Sequence, residues 1–262
     1  MLEISAREIA KIASRLDEAE RNAQAIEQLK DPLGLAAAYA VQSALLRRRY
    51  ARGERRIGIK MGFTSRAKMA QMGVDEMIWG RLTDRMLVED GGSIDFSTFV
   101  HPRVEPEIAF LLSAPLVGTV TPVAALAAVA GVAPALEIID SRYQNFRFSL
   151  FAAIADNSSS SAFVVGPWSE PKQDLSNLGM VLEVDGVDRQ VGSSAAILGN
   201  PIRSLVAAAR YANAAREPLQ AGDIVMAGGA TAAEVLAPGQ HVRLTIQRLG
   251  SVKFRVRSPR AA

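Results

Sequence analysis

The periodicity of the apolar residues changes near Gly53 and divides the chain into two parts. Over residues 2–30 apolar side chains recur every three to five positions with charged residues between them, which is typical of an amphipathic helix. Asp31-Pro32 interrupts this pattern, and a second helical pattern covers residues 35–50. Residues 1–53 are therefore predicted to form a helical N-terminal region.

The rest of the chain, residues 54–262, contains short β-like runs punctuated by glycine and is predicted to form a β-rich domain, giving an α+β fold. The predicted strands cover residues 57–61, 86–89, 104–112, 136–140, 162–165, 180–184, 224–227 and 242–247. The predicted helices between them cover residues 65–72, 123–132 and 201–214. Asp185-Gly186 predicts a two-residue hairpin turn.

The residue types present restrict the possible chemistry. The chain has no cysteine, which excludes disulfides, thiolate metal sites and cysteine nucleophiles, and it has only two histidines, His101 and His241. A metal site would therefore use mainly carboxylates, which select a hard cation such as Mg²⁺ or Mn²⁺. Walker A and G-x-G-x-x-G patterns are absent, so the sequence does not signal a nucleotide cofactor.

Charge and hydropathy disfavour binding to nucleic acids and membranes. The formal net charge is only +3, and the basic residues are spread out without interleaved aromatics. Residues 123–136 are the most apolar stretch, but it is short for a membrane span and contains Gly131 and Pro134. A buried helix that leads into a strand is the prediction there. The first residues lack a signal-peptide pattern, so we expect a cytoplasmic protein.

The segment around Glu105 and Glu107 is the most informative for function. Alternate residues of a strand share a face, so these two side chains are predicted to project together from residues 104–112. Two neighbouring carboxylates remain ionised together only in water or with a cation between them. The pair therefore indicates either a solvated strand face or a metal site.

A third carboxylate, Glu137, lies in the apolar run of residues 134–140. An unpaired charge would be costly to bury there, so Glu137 needs a partner. A metal ion shared with Glu105 and Glu107 would supply one, and a salt bridge to Arg142 is the alternative.

Three further segments carry polar groups that could contact a ligand. Lys60 lies in a predicted strand between glycines, where it could meet an anionic substrate or act as an acid; an edge lysine that reaches solvent is the alternative. Asn157 and Ser160 belong to a run of short polar side chains that is either a binding segment or a plain turn. Gly229 and Thr231 follow a predicted strand, in a loop that could expose backbone N–H groups to an anion.

Several motifs of one known family occur in this chain in the same order as in that family, and together they span nearly the whole chain. They are Gly58-Ile-Lys-Met-Gly-Phe-Thr-Ser65, Met72-Gly-Val-Asp75, His101-Pro-Arg-Val-Glu-Pro-Glu107, Ala135-Leu-Glu-Ile-Ile-Asp-Ser-Arg142, Ala155-Asp-Asn-Ser-Ser159 and Gly250-Ser-Val252. With these motifs the chain resembles the hydratase and decarboxylase family of meta-cleavage pathways, within the fumarylacetoacetate hydrolase superfamily.

The resemblance implies a fold, a cofactor and a substrate class. It implies a helical N-terminal part followed by a mixed β-roll or barrel-like body. It also implies Mg²⁺ or Mn²⁺ held by Glu105, Glu107 and Glu137, with Lys60 at the position of the family's active-site lysine. Members act on small 2-oxo or 2-hydroxydienoate acids formed during aromatic-ring degradation.

The residue before Trp79 separates the two activities of this family. Hydratases tend to carry an acidic residue there and decarboxylases isoleucine, and this chain has Ile78. We therefore predict decarboxylation of 2-oxo-3-hexenedioate, with an apolar Ile78 beside the departing carboxylate. Hydration of 2-hydroxypenta-2,4-dienoate is the alternative. A carbon–carbon hydrolase and an inert subunit that stabilises a partner enzyme are further alternatives.

The resemblance also implies roles for individual residues and binding partners for the protein. Lys60 would neutralise substrate charge or deliver a proton, and Arg142 could hold a carboxylate or pair with Asp140 or Glu137. Lys60, Asp156 or a metal-bound water could protonate the product. We also expect a homo-oligomer and a complex with the cognate hydratase, because the dienol product ketonises in water.

Overall fold

The computed structural model describes residues 4–28, 33–65, 69 and 76–258, with helices first and mixed sheets after them. The helices are α1 (Ala6–Arg21), α2 (Leu35–Ala51), α3 (Pro122–Ala127), α4 (Leu150–Ala155) and α5 (Pro201–Ala214). The strands are β1 (Arg56–Gly62), β2 (Ile78–Thr83), β3 (Leu87–Val88), β4 (Ser93–Asp95), β5 (Arg103–Leu112), β6 (Val129–Ile139), β7 (Ser160–Val165), β8 (Gly179–Val184), β9 (Val187–Ser193), β10 (Ile224–Met226), β11 (Glu234–Val235), β12 (His241–Ile246) and β13 (Gly250–Arg257).

The described strands form two sheets, as the α+β prediction requires. The larger sheet has the order β2-β1-β10-β5-β6-β7-β3, with β11 paired to β5, and it contains parallel and antiparallel pairs. The smaller sheet has the order β4-β13-β12-β8-β9. One core cluster contains side chains from both sheets and from α5, including Phe110, Phe254 and Leu205. Among the described residues no helix has the length and apolar character needed to cross a membrane.

The N-terminal helices pack against each other and against the large sheet through a second core cluster. Leu16 of α1, Leu45 of α2 and Ile78 of β2 belong to it. The prediction that the first helix continues to residue 30 is wrong: α1 ends at Arg21, and Ile26 instead forms an isolated bridge with Tyr143. The backbone pairing with this distant residue determines the conformation there, although the local spacing of apolar residues favours a helix. The predicted Asp31-Pro32 break lies outside the described residues, and the domain division after residue 53 stays a prediction.

Local sequence pattern predicted some of the remaining elements correctly and others only in part. The helix predicted over residues 123–132 is too long, because α3 ends at Ala127 and the following apolar residues pair with β5 as the start of β6. The Asp185-Gly186 hairpin is confirmed, with φ of 53° and 75° at its two residues. The helix at residues 201–214 is also confirmed. Most of the helix predicted at residues 65–72 lies outside the described residues.

The antiparallel pairing of β5 with β6 positions the functional side chains. Its register sets Glu105 directly opposite Glu137. Side chains opposite each other in such a ladder have Cβ atoms about 5 Å apart. Glu107 projects on the same face as Glu105, two residues further along β5. The strand alternation and the register thus bring three carboxylates together without any loop.

Candidate metal centre and substrate pocket

Glu105, Glu107 and Glu137 form one carboxylate cluster. Each offers an oxygen that lies within 4.8 Å of an oxygen from the other two. Glu107 and Glu137 are completely buried, whereas Glu105 is half-buried and lines a pocket. The solvated-face alternative, which concerned Glu105 and Glu107, is therefore wrong for Glu107.

The hydrogen bonds of the cluster leave room for a cation. The Ser160 hydroxyl donates to Glu137 Oε1 at 2.8 Å, and the backbone N–H of Gly228 donates to Glu107 Oε2 at 2.7 Å. Within the described residues, the buried Glu107 Oε1 has no hydrogen-bond partner. Burial raises the pKa of Glu107 well above its usual range, and the neighbouring Glu137 raises it further. An oxygen-ligand cation fits this set, because it would satisfy the orphan oxygen and offset the mutual repulsion.

Lys60 is the buried cation beside this cluster. Its Nζ lies 3.1 Å from Glu137 Oε2 and donates to the Ser158 carbonyl at 3.1 Å. The residue is only 3% exposed and its strand lies between β2 and β10, so the edge-lysine alternative is wrong. Burial acts to lower the pKa of Lys60, but the charges of Glu137, Glu107 and Glu105 together outweigh burial and the pKa is raised. Lys60 therefore remains an ammonium at neutral pH, and the Arg142 alternative for pairing with Glu137 is wrong.

A left-handed turn after α4 supplies the carbonyl that Lys60 contacts. Asn157, Ser158 and Ser159 have φ of 49°, 54° and 59°, a conformation that side-chain-bearing residues adopt at a cost. The Asn157 side chain bonds both the N–H and the carbonyl of Arg81, at 2.9 Å each, which anchors the turn to β2. The turn therefore aims the Ser158 carbonyl at Lys60.

Asn157 and Ser160 were predicted to bind substrate, and the structure places them elsewhere. Both side chains are buried, and neither lines the pocket. Asn157 is fully engaged by backbone, whereas Ser160 bonds a carboxylate of the cluster. Their geometry is that of supports for the site, so a direct contact with substrate is not indicated.

Arg142 and Asp156 form a buried pair behind the pocket. The Arg142 side chain donates to the Asp156 carboxylate and, at 2.7 Å, to its carbonyl; a third bond of 2.6 Å goes to Ser161. Burial acts to lower the pKa of Arg142, but the Asp156 charge raises it. Neither residue lines the pocket, so a direct catalytic role for them is not supported. The pair instead joins the end of β6 to the left-handed turn.

A pocket of about 540 Å³ opens beside the carboxylate cluster. Lys60, Ile78, Glu105 and Gly229 line it, as the sequence predicted, whereas Thr231 does not. Its remaining lining residues are Gly62, Phe63, Thr64, Ser65, Arg103, Ile139, Phe146, Arg147, Phe148, Ala153, Ser158, Ser159, Ala232 and Ala233.

Some of these lining residues were not expected from the sequence. Thr64 and Ser159 present buried hydroxyl oxygens that have no hydrogen-bond partner in the described part of the chain. Arg103 could have been found, because it precedes Glu105 by two residues and shares its strand face. Phe146 and Arg147 were not predicted as site residues; they follow β6, where Phe146 ends the 3₁₀ helix Gln144–Phe146.

Gly229 is required beside Glu105, and its replacement by alanine is expected to weaken metal binding. A Cβ atom at this position would lie 2.8 Å from Glu105 Cδ and 2.9 Å from Oε2, so the carboxylate would have to move. We expect Mn²⁺ affinity to fall roughly 10- to 100-fold, the usual effect of disturbing the support of a ligand. Metal titration of the apo-protein measures this.

Gly179→Ala is the matched control for this substitution, because the nearest atom to its added Cβ is 3.9 Å away. It should bind Mn²⁺ like the wild type. Unchanged affinity in Gly229→Ala would contradict the assignment of Glu105 as a ligand held by this close contact.

The fold and the site define the class of this protein: an α+β protein of the fumarylacetoacetate hydrolase type whose mixed sheet carries a carboxylate cluster able to hold a metal ion. Residues 61–257 match the family described as "Fumarylacetoacetate (FAA) hydrolase C-terminal". The chain belongs to this family. The β-roll body and the family inferred from the motifs are thereby confirmed.

Within the family the chain resembles one kind of enzyme in particular. It is 58% identical to a 4-oxalocrotonate decarboxylase of a Pseudomonas species, over 94% of this chain and 97% of the relative. The structure of 4-oxalocrotonate decarboxylase from Pseudomonas putida G7, complexed with magnesium and adipate, has a TM-score of 0.93 and 38% identity, and the match covers 98% of this chain and 100% of that one. A 2-keto-4-pentenoate hydratase from Paraburkholderia xenovorans is 36% identical, over 92% of each chain.

Proposed function

We propose that this protein is a metal-dependent decarboxylase that converts 2-oxo-3-hexenedioate (4-oxalocrotonate) to 2-hydroxypenta-2,4-dienoate. The observation that carries the proposal is the carboxylate cluster with its orphan oxygen, which adjoins a pocket that has Ile78 in its wall. The 58% identity to a 4-oxalocrotonate decarboxylase over nearly the whole chain supports this substrate, and the identity to the hydratase is lower, at 36%.

Glu105, Glu107 and Glu137 would hold the cofactor, Mg²⁺ or Mn²⁺. The related decarboxylase structure from Pseudomonas putida G7 contains magnesium, which supports this choice. When bound, the cation supplies Lewis acidity toward the 2-oxo acid end of the substrate. The protein would contribute the three ligands, and hydrogen bonds from Ser160 and Gly228 orient Glu137 and Glu107.

The reaction requires a defined flow of electrons that the pocket residues can support. The C5–C6 bond breaks as CO₂ leaves, its electron pair forms the C4=C5 bond, and the former C3=C4 pair forms C2=C3. The 2-oxo oxygen gains the negative charge and takes a proton to become the 2-hydroxyl. Lys60, an ammonium in the pocket, would stabilise this developing charge or deliver the proton.

Ile78 would act on the departing end of the substrate. Its side chain is 5% exposed and joins the apolar cluster formed with the N-terminal helices. An apolar wall excludes the water that a hydratase must add, and it favours neutral CO₂ over the carboxylate that precedes it. Neither histidine lines the pocket, which leaves the carbon–carbon hydrolase alternative without a histidine base.

Ile78→Asp is expected to lower CO₂ release at least about tenfold, equivalent to ~1.4 kcal/mol in the barrier. The new carboxylate would repel the substrate carboxylate and admit water to the apolar wall. The kinetics of CO₂ formation measure the effect. Ile78→Asn and Ile78→Val are matched controls for polarity and for size. Unchanged CO₂ release by Ile78→Asp would rule out the role proposed for this side chain.

The reaction itself is tested with metal-loaded protein and 2-oxo-3-hexenedioate. Ultraviolet absorbance and a CO₂ assay are recorded together, before and after EDTA. Metal-dependent CO₂ release is expected. If no CO₂ forms, and 2-hydroxypenta-2,4-dienoate supplied in its place loses its dienoate absorbance, the enzyme is a hydratase.

The cellular setting follows from the chemistry of the product. We propose that the enzyme acts in the cytoplasm, in meta-cleavage degradation of aromatic compounds, as a homo-oligomer. Because the dienol product ketonises in water, direct transfer to a cognate hydratase in a complex would be advantageous. Light scattering of the purified protein, alone and mixed with that hydratase, tests both associations.

A further inference from the structure

Arg103 is a cation in the pocket that the reaction described above leaves without a role. It lies at the start of β5, on the same face as Glu105, and it lines the same pocket. Two residues along a strand correspond to about 6.8 Å, so Arg103 flanks the carboxylate cluster. No carboxylate among the described residues pairs with its guanidinium. A half-buried arginine with no ion-pair partner in the described part of the chain is available to a ligand carboxylate.

Phe146 holds the Arg103 side chain at the pocket. The guanidinium carbon lies 4.0 Å from the centroid of the Phe146 ring, a cation–π contact. The ring is also flanked edge-on by His101 and Phe148, at centroid distances of 6.4 and 5.3 Å. Phe146 itself has φ of 55°, an unfavourable conformation for a bulky residue. Such strain is concentrated at functional sites, where the surrounding structure enforces it.

The charges of the described pocket residues match a substrate with two carboxylates. The three glutamates are countered by Lys60 and, when bound, by a divalent cation, so a neutral centre results. A dicarboxylate adds two negative charges. Arg103 and Arg147, which line the pocket near Phe146, supply two positive charges to offset them.

The two walls of the pocket are chemically different, which determines how such a substrate can lie. Ile78 belongs to β2 and Arg103 to β5, and β1 and β10 separate these strands in the sheet. A guanidinium bound to the departing carboxylate would stabilise a charge that disappears as CO₂ forms, and it would slow the reaction. The same guanidinium bound to the other carboxylate would stabilise substrate and transition state alike.

We infer that Arg103 binds the carboxylate that stays, next to the 2-oxo group, and thereby selects which carboxylate lies against Ile78 and departs. The inference rests on the proposed function. Arg103 is thus a specificity-determining residue that orients a substrate with a carboxylate at each end.

The test compares the binding of two ligands by the Arg103→Met variant. 2-Oxopentanoate has only the carboxylate next to the 2-oxo group, whereas 2-oxohexanedioate has both carboxylates. Titration calorimetry on Mg²⁺-loaded protein gives each dissociation constant. We expect both ligands to bind roughly 10- to 100-fold more weakly, by the same factor, because one charge-assisted contact is lost from each. Arg103→Lys should recover part of the affinity.

Arg257→Met, an exposed substitution at the end of β13, is the matched control and should bind both ligands like the wild type. Weakening of 2-oxohexanedioate alone would overturn the inference, because Arg103 would then hold the departing carboxylate. Unchanged binding of both ligands would also overturn it. Since the readout is binding, failure of the proposed reaction is seen separately, as absence of CO₂ release from the wild type.

Discussion

Glu107→Gln is expected to lower divalent-metal affinity by more than about a hundredfold and to abolish metal-dependent turnover. Glu107 is a buried ligand of the proposed metal site; its Oε1 has no hydrogen-bond partner within the described residues, and its other oxygen accepts a hydrogen bond from the Gly228 N–H. Glutamine keeps the size and can still accept the Gly228 bond, but it removes the charge that a hard cation requires. Mn²⁺ titration and CO₂ release measure the two losses.

The same substitution is expected to stabilise the metal-free protein. Burial and Glu137 raise the pKa of Glu107 above its value in the unfolded chain. The folded state therefore binds this proton more tightly, and stability is lost as the pH rises from the unfolded pKa through the folded one. Glu107→Gln has no such loss. Its melting temperature in EDTA at neutral pH should exceed that of the wild type by a few degrees, since 1 kcal/mol corresponds to roughly 2–4 °C at this size.

Glu89→Gln, at an exposed position, is the control and should leave metal binding and melting unchanged. Metal binding by Glu107→Gln at wild-type affinity would refute the assignment of this ligand. A lower melting temperature in EDTA would show that the charge at residue 107 does not oppose folding.

Lys60→Met is expected to separate catalysis from metal binding. Turnover should fall roughly 10²- to 10⁴-fold, the usual range for losing a proton donor or a charged stabiliser of the transition state. Metal affinity should be equal to or greater than that of the wild type, because Lys60 competes with the cation for Glu137 at 3.1 Å. Steady-state CO₂ release and Mn²⁺ titration of the same preparation give both numbers.

Lys172→Met, an exposed lysine, serves as the control and should change neither number. Undiminished CO₂ release by Lys60→Met would exclude Lys60 from the chemistry. Parallel loss of turnover and metal binding would instead assign it to building the metal centre. The metal titration thus distinguishes the two variants, because only Glu107→Gln is expected to lose metal affinity.

The hydrogen bonds that hold the site in place could not be predicted from local sequence patterns. Arg142 was expected to meet a substrate, Asp140 or Glu137, and it is bound to Asp156. Asn157 bonds the backbone of Arg81, which is 76 residues away in sequence. Each of these side chains had several chemically equivalent partners, and spacing along the chain does not distinguish among them.

The end of the first helix could likewise not be predicted from the local sequence pattern. The apolar spacing of residues 2–30 is helical throughout, yet α1 ends at Arg21. Beyond it Ile26 exchanges backbone hydrogen bonds with the segment around Tyr143, its partner in the isolated bridge. A distant strand-like partner decided the conformation of those residues.

The sequence by itself determined the α+β class and singled out Glu105, Glu107 and Glu137 as a candidate metal site, but it did not pair Lys60 with Glu137. The reason is that strand alternation and the cost of burying charge act on near neighbours. The tertiary structure alone decided that Arg103 lies under Phe146 and that the Ser158 carbonyl meets Lys60. These contacts join segments that are far apart in the sequence, and no local pattern encodes them.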